Sequence, residues 1–479
     1  MLITGKKFRV IIVCLLVLIF EIVVSEYALR NRNDIDGALR FVSAVSAFVF
    51  LVELYLWKKL SGELFSPYIV FFVSLFVFCC GQSLGWMFDI RMGIRDLWYR
   101  YTYGTNHKVL LEGMCYSMIG ITSFFLGSVI QAKLDKKQDY PDSYSSSEVI
   151  NAYRNVGKLM LIVCIPSFLA ITFQNVMAVA SSGYLAYYTI ASTRSLVMKV
   201  ANILADYYQP CMMILLIGYK DSVLKRRLIF AAMMIDVLST LYVGARSGAF
   251  MTVLALLVSY HYFVNPFTKK QVVGFGIAGY IVMAISNSIS LSRVYSGRSI
   301  ADIFAGLFSA TDVVSEFIGE LGWNISSICW TMNLVPSSEP FRYGMSYLVS
   351  VLTIIPSAFF PNGHPIVRWA QLGDWLQNSL GLTSGPGYTM IAEAYINFGW
   401  FGFLALFVEG IIVSRFIANV PRKCVNDNMF GATFQIIIIM TVMKSLVRAS
   451  VSAAMRTIIF VIIPLYLILK FSIKKTKTT

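Results

Sequence analysis

The most chemically loaded stretch of this sequence is Ser384-Gly-Pro-Gly-Tyr388-Thr-Met-Ile-Ala-Glu393-Ala-Tyr395-Ile-Asn397-Phe-Gly399-Trp-Phe-Gly402. A Gly/Pro turn leads into a helical pattern that sets Glu393 and Asn397 four apart, on one face. A carboxylate, an amide and the phenols of Tyr388 and Tyr395 suit sugar hydroxyls, and Glu393 can serve as base toward an acceptor hydroxyl. The same residues also fit a second reading, an interfacial aromatic belt with a structural Glu–Arg pair. A rival base is His364, one of 3 histidines, set in Pro361-Asn-Gly-His-Pro365 just before Arg368-Trp369. Imidazole is the usual base near neutral pH, although a histidine between Pro and Gly also suits a turn.

Arginine supplies the complementary chemistry. In Gly244-Ala-Arg246-Ser-Gly248 the glycines permit a tight turn, and Arg246 falls at a membrane rim, where an unpaired charge is costly and functional by default; snorkelling to the interface is the plainer reading. Arg293-Val-Tyr-Ser-Gly-Arg298 puts two guanidinium groups in one short segment, a grip for phosphate or an acidic sugar. Asp34-Ile-Asp36 has the look of a metal-binding acid pair, but beside Arg30, Arg32 and Arg40 it reads as a salt-bridged turn. No metal and no cofactor is expected. Glu21, Asp206, Asp236 and Glu409 fall inside apolar runs and need partners or a cavity, and proton coupling is one use for them. There is no P-loop, dinucleotide-binding fingerprint, HExxH or CxxC, which sets nucleotide and zinc chemistry aside.

The elements that must position these residues follow from composition. The 479 residues are 57% hydrophobic and 14% charged. A chain this long and apolar cannot hide its hydrophobic residues in one aqueous core, so it reads as an all-α polytopic membrane protein. Eight cysteines lie mostly in apolar runs with no ligand spacing, and no disulfide is expected. Apolar runs at 8–29, 38–57, 65–86, 109–131, 157–180, 200–219, 228–244, 249–265, 271–291, 399–418, 430–447 and 453–470 give about twelve spans. The first follows Lys6, Lys7 and Arg9 without a small-residue cleavage site and reads as an uncleaved anchor. Residues 1–131 form an N-terminal block of about four helices, 157–291 a central block of about five, and 399–479 a final block of about three with a basic tail. Between them lie a polar cytoplasmic linker, 132–156, and a long external loop, 292–398. That loop holds apolar pieces at 303–335 and 343–360, broken by five prolines, which read as amphipathic or re-entrant helices. Loops of this length are usually functional.

Net charge is +15. Membrane topology accounts for it without nucleic acid, because every second loop is basic once both termini are placed in the cytoplasm. The basic residues then sort by type. Of 20 Lys and 20 Arg, 17 Lys fall inside, whereas 14 Arg fall outside or at outer helix ends. The positive-inside rule explains the lysines but not why outer positive charge should be Arg. A planar fork that grips phosphate bidentately explains that choice. The outer face is therefore expected to bind an anion such as a lipid-linked diphosphate.

The Gly244–Gly248 turn, the arginines after the ninth span, the long external loop and Glu393-Ala-Tyr-Ile-Asn397-Phe-Gly399 together resemble the Wzy-type polymerases of bacterial O-antigen and capsule assembly. The resemblance implies a metal-independent glycosyltransferase with a GT-C-like membrane architecture at the outer face of the cytoplasmic (inner) membrane. It would transfer a growing glycan from undecaprenyl diphosphate onto the next lipid-linked repeat unit. Its partners would be that donor and acceptor, the bilayer and a chain-length regulator protein. The resemblance assigns the diphosphate to Arg246, Arg293 and Arg298, with Arg368, Tyr388, Tyr395 and Asn397 as further substrate contacts. The base stays open between Glu393 and His364. O-antigen ligases share this topology, and a flippase of lipid-linked oligosaccharide would also want buried charge, so both remain as alternatives.

Overall fold

A computed structural model describes residues 5–31, 33–92, 96–98, 106–132, 147–183, 186–187, 190, 194–291, 313–355, 359–382 and 385–478. Helices and their connections make up all of these residues, with no strand among them. Nine helical segments among them are long and apolar enough to cross a bilayer: Gly5–Arg30, Ile35–Ser61, His107–Gln131, Ser147–Ser182, Leu196–Gly218, Arg246–Val264, Met390–Ile417, Met429–Arg448 and Val451–Lys475. The protein is thus a polytopic all-α membrane protein. The other three expected spans are helical too. Pro67–Cys80 has 14 residues, about 21 Å at 1.5 Å per residue, short of a bilayer's roughly 30 Å. Val223–Val243 opens on Lys225, Arg226 and Arg227, and Lys269–Leu291 completes the set.

The chain folds into two compact units that interleave along the sequence. The first comprises 1–136, 315–421 and 442–456; the second comprises 137–314, 422–441 and 457–479. In the first unit the 107–131 helix is enclosed almost completely. Its tightest neighbour is the Gly402–Ile417 helix, and glycine makes the approach possible. A Cβ on Gly127 would lie 2.0 Å from the Phe407 carbonyl oxygen, and one on Gly410 would lie 2.1 Å from that of Phe124. Serines stitch the same seam: Ser128 Oγ donates to Gly410 O at 3.2 Å, and Ser414 Oγ donates to Ser128 O at 3.0 Å.

In the second unit the Ser147–Ser182 helix packs on Tyr208–Gly218. Tyr153 and Thr433 share a hydrogen bond of 3.0 Å, and Gln209 donates to the Asp236 carboxylate at 2.7 Å. Asp236 thereby has a neutral partner inside the bundle, as a buried acid requires.

One boundary differs from expectation. The helix expected at 399–418 starts at Met390, because Thr389 caps it by accepting from Ala392 N–H at 3.2 Å. At Gly399 the chain takes φ 59°, open to glycine, and bends through a short 3₁₀ turn before running on to Ile417. Glu393 and Asn397 therefore lie in the opening turns of a spanning helix rather than in the loop before it.

Candidate active site

In the first unit, Glu393 joins three segments that are remote in sequence. Its Oε1 accepts from Ser346 Oγ at 2.7 Å, and its Oε2 accepts from the Val451 backbone N–H at 2.8 Å. Ser346 belongs to the short Met345–Ser350 helix. Val451 is the first residue after a two-residue break, Ala449-Ser450, between two long helices. The break exposes helix N–H groups that lack intrahelical partners, and the carboxylate takes one of them. Asn397, one turn on from Glu393, completes the frame. Its Nδ2 donates to Ser346 Oγ at 2.8 Å and to Glu393 O at 2.7 Å, while its Oδ1 accepts from Gly344 N–H at 2.9 Å. The i, i+4 spacing thus brings Glu393 and Asn397 together, both fully buried.

A guanidinium lies within electrostatic reach of this carboxylate without pairing with it. Arg342, 6% exposed, donates from Nη1 to Trp369 O at 2.7 Å and lies 4.9 Å over the Trp375 ring. Burial works against its charge and pulls its pKa down, while Tyr388, Glu339 and Glu393 act in favour of the charged form. Trp375 in turn donates to Glu339 Oε2 at 2.8 Å. Arg342 N–H also donates to Ile396 O at 2.9 Å, which latches the arginine to the Glu393 helix.

The other expected residues are placed as follows. Tyr388 is fully buried; its hydroxyl meets Thr331 Oγ1 at 2.9 Å, and its N–H reaches Arg448 O at 3.3 Å. Burial raises the phenol pKa, so the hydroxyl keeps its proton. Tyr395 packs edge-on against Tyr116 and Phe341. His364 caps the Pro365–Trp369 helix: its Nδ1 faces Ile366 N–H at 3.2 Å, and its Nε2 faces Ile355 O at 3.0 Å. Arg368 is exposed and lies 5.0 Å over the ring of Trp369. Arg246 belongs to the second unit, where it begins the Arg246–Ser259 helix just after Gly244 in the left-handed conformation; it is 4% exposed. Arg293 and Arg298 lie outside the described residues. Asp34 caps its helix by accepting from Gly37 N–H at 2.8 Å, and Asp36 pairs with His107. Both acids thus have structural work.

Three members of this centre were not singled out from sequence: Arg342, Ser346 and Val451. Arg342 carried a signal, since it stood in the outer arginine set. A serine 47 residues before Glu393 and a backbone N–H 58 residues after it carried none.

These features define a multi-pass helical membrane protein with a buried, hydrogen-bonded carboxylate in the opening turns of a spanning helix and a buried arginine on the neighbouring segment. The model of the family described as O-antigen polysaccharide polymerase Wzy matches residues 7–478, nearly the whole chain, and the chain belongs to that family. No curated protein and no solved structure matches it. Membership makes it an O-antigen polymerase in general role, a glycosyltransferase-like enzyme acting in a membrane.

Proposed function

We propose that the protein elongates a surface glycan by moving the growing chain from undecaprenyl diphosphate onto the next lipid-linked repeat unit. The observation that carries this reading is the family match over residues 7–478. The reaction is placed at the outer face of the bacterial inner membrane, with both termini cytoplasmic, because the lysine-rich loops then fall inside. The architecture is of the GT-C kind, the chemistry needs no metal, and a chain-length regulator is a partner.

The acceptor hydroxyl attacks the anomeric carbon as the diphosphate leaves. Charge grows on the leaving group, so preorganised guanidinium groups lower the barrier. From sequence that task falls to Arg246, Arg293, Arg298 and Arg368, and within the first unit Arg342 is the buried guanidinium whose backbone is hydrogen-bonded to the Glu393 helix. Of the two expected bases Glu393 is preferred. Both nitrogens of His364 face backbone partners, so taking a proton would cost one of those bonds. The Glu393 oxygens each accept one bond and keep a further lone pair. Glu393 is fully buried, so an acceptor reaches it only once the packing around it opens. Tyr395 and Asn397 then shape the pocket, and Tyr388 holds its rim.

Deletion of the gene tests the reading. A polymerase mutant should display glycan capped at a single repeat unit. Loss of a flippase would leave no surface sugar, and loss of a ligase would leave long chains on the lipid diphosphate. Full-length chains in the deletion strain, with no second polymerase present, would sink the assignment.

A further inference from the structure

Arg194, in the second unit, is held in a way the proposed chemistry has not used. Its Nε donates to Gln174 Oε1 at 3.3 Å, its Nη1 to Asn202 Oδ1 at 2.9 Å and its Nη2 to Asn175 Oδ1 at 2.6 Å. Gln174 and Asn175 lie on the Ser147–Ser182 helix, and Asn202 lies on Leu196–Ala205. All three acceptors are neutral amides. The sequence has no Asp or Glu between Glu148 and Asp206. Among the described residues no carboxylate pairs with Arg194. A clasp meant only to join two helices is stronger with a carboxylate, because both partners are then charged. Three amides fix the guanidinium and leave its charge in place. They also leave donors: of five N–H groups three are used, and one remains on each terminal nitrogen, the fork that meets a phosphate.

The surroundings match a lipid phosphate. Arg194 stands two residues before the Leu196–Gly218 span. Leu196 and Val197, 77% and 76% exposed, and Val200 open that span with an uncovered apolar face, and exposed Lys199 adds a second cation among them. The basic run Lys220, Lys225, Arg226 and Arg227 follows the opposite end of the span. Arg194 therefore sits at the rim away from the lysine-rich loop.

We propose that Arg194, held by Gln174, Asn175 and Asn202, forms a binding site for the diphosphate of a polyprenyl-linked saccharide. Leu196, Val197 and Val200 receive the first hydrocarbon units, and Lys199 meets the second phosphate. The proposal rests on the polymerase reading above and adds to it a place for one lipid carrier.

The decisive variant is Asn175→Asp, with Asn202→Asp as its companion. Each keeps the acceptor but cancels the guanidinium charge. Purified full-length protein in phosphatidylcholine nanodiscs is titrated with undecaprenyl diphosphate, and separately with phosphatidylglycerol, with binding read by native mass spectrometry and folding by thermal melting. Losing one charged contact should weaken diphosphate binding about tenfold, while melting stays level or rises. Arg194→Lys, which keeps charge without the fork, should fall between wild type and Asn175→Asp, and serves if the aspartate variants do not fold. Equal diphosphate binding by wild type and variants would make Arg194 a helix clasp and overturn the site alone. Equal affinity for phosphatidylglycerol, with the same sensitivity to Asn175→Asp, would make it a bulk-lipid contact and overturn it too. If wild type binds no diphosphate lipid at all, the polymerase reading falls together with the site.

Discussion

Glu393 has two jobs in this molecule, and separating them is the first task at the scale of single residues. Its carboxylate ties together the 345–350 helix and the turn before Val451, and it is also the proposed base. Glu393→Gln keeps an acceptor oxygen but not the basicity. It should fold, with a melting temperature close to wild type, and make no polymer from purified lipid-linked units. Ser346→Ala removes two buried hydrogen bonds, the one it donates to Glu393 and the one it accepts from Asn397, and should cost about 2 kcal/mol of stability while leaving measurable activity. Should Glu393→Gln polymerise normally, the residue is only a tie. Arg246→Lys should be nearly as damaging to glycan laddering as Arg246→Ala, because lysine keeps the charge and loses the bidentate fork. A normal ladder with lysine would reduce Arg246 to a counter-charge. The Glu393–Asn397 pair was legible in the sequence because helical spacing is local information. Ser346 and Val451 were not, since their contacts are made by tertiary folding across 47 and 58 residues.

Helices were the most legible elements, since each of the twelve apolar runs proves helical. Their ends were less so. The start at Met390 depends on a threonine cap and a bend at Gly399, and both are overshadowed in the sequence by the louder Gly-Trp-Phe-Gly run. Seams between helices leave a clearer mark in small residues. Gly410→Ala would drive a methyl group into the Phe124 carbonyl, 2.1 Å away. Overpacking of this kind costs about 1–3 kcal/mol, and the expected result is a lowered melting temperature in detergent. Gly274→Ala is the control, with nothing within 4 Å of the added carbon. If the two variants melt alike, the 107–131 and 402–417 helices are not in backbone contact.

For the whole molecule, composition alone established the membrane and the helical class. It could not establish the grouping of the helices, because contact between distant segments is not written in hydropathy. Polymer formation from purified lipid-linked units is expected to survive EDTA, since the proposed chemistry rests on arginine and a carboxylate. The chief acid pair that suggested a metal is otherwise engaged: Asp34 caps a helix and Asp36 pairs with His107. Activity lost to chelator and restored by Mg²⁺ or Mn²⁺ would reverse that expectation.

The interleaving of the two units bears on how the protein is made. The first unit begins with the opening helices yet takes its last piece from residues 442–456, and the N–H that meets Glu393 belongs to that piece. A nascent chain leaving the ribosome would have its early helices in the membrane long before their final partner is synthesised. Until Val451 emerges, the Glu393 carboxylate has no backbone donor from that turn. Assembly of the frame around Glu393 therefore waits for synthesis of residue 451, and a chain stopped before that residue would carry Glu393 without the partner that orients it.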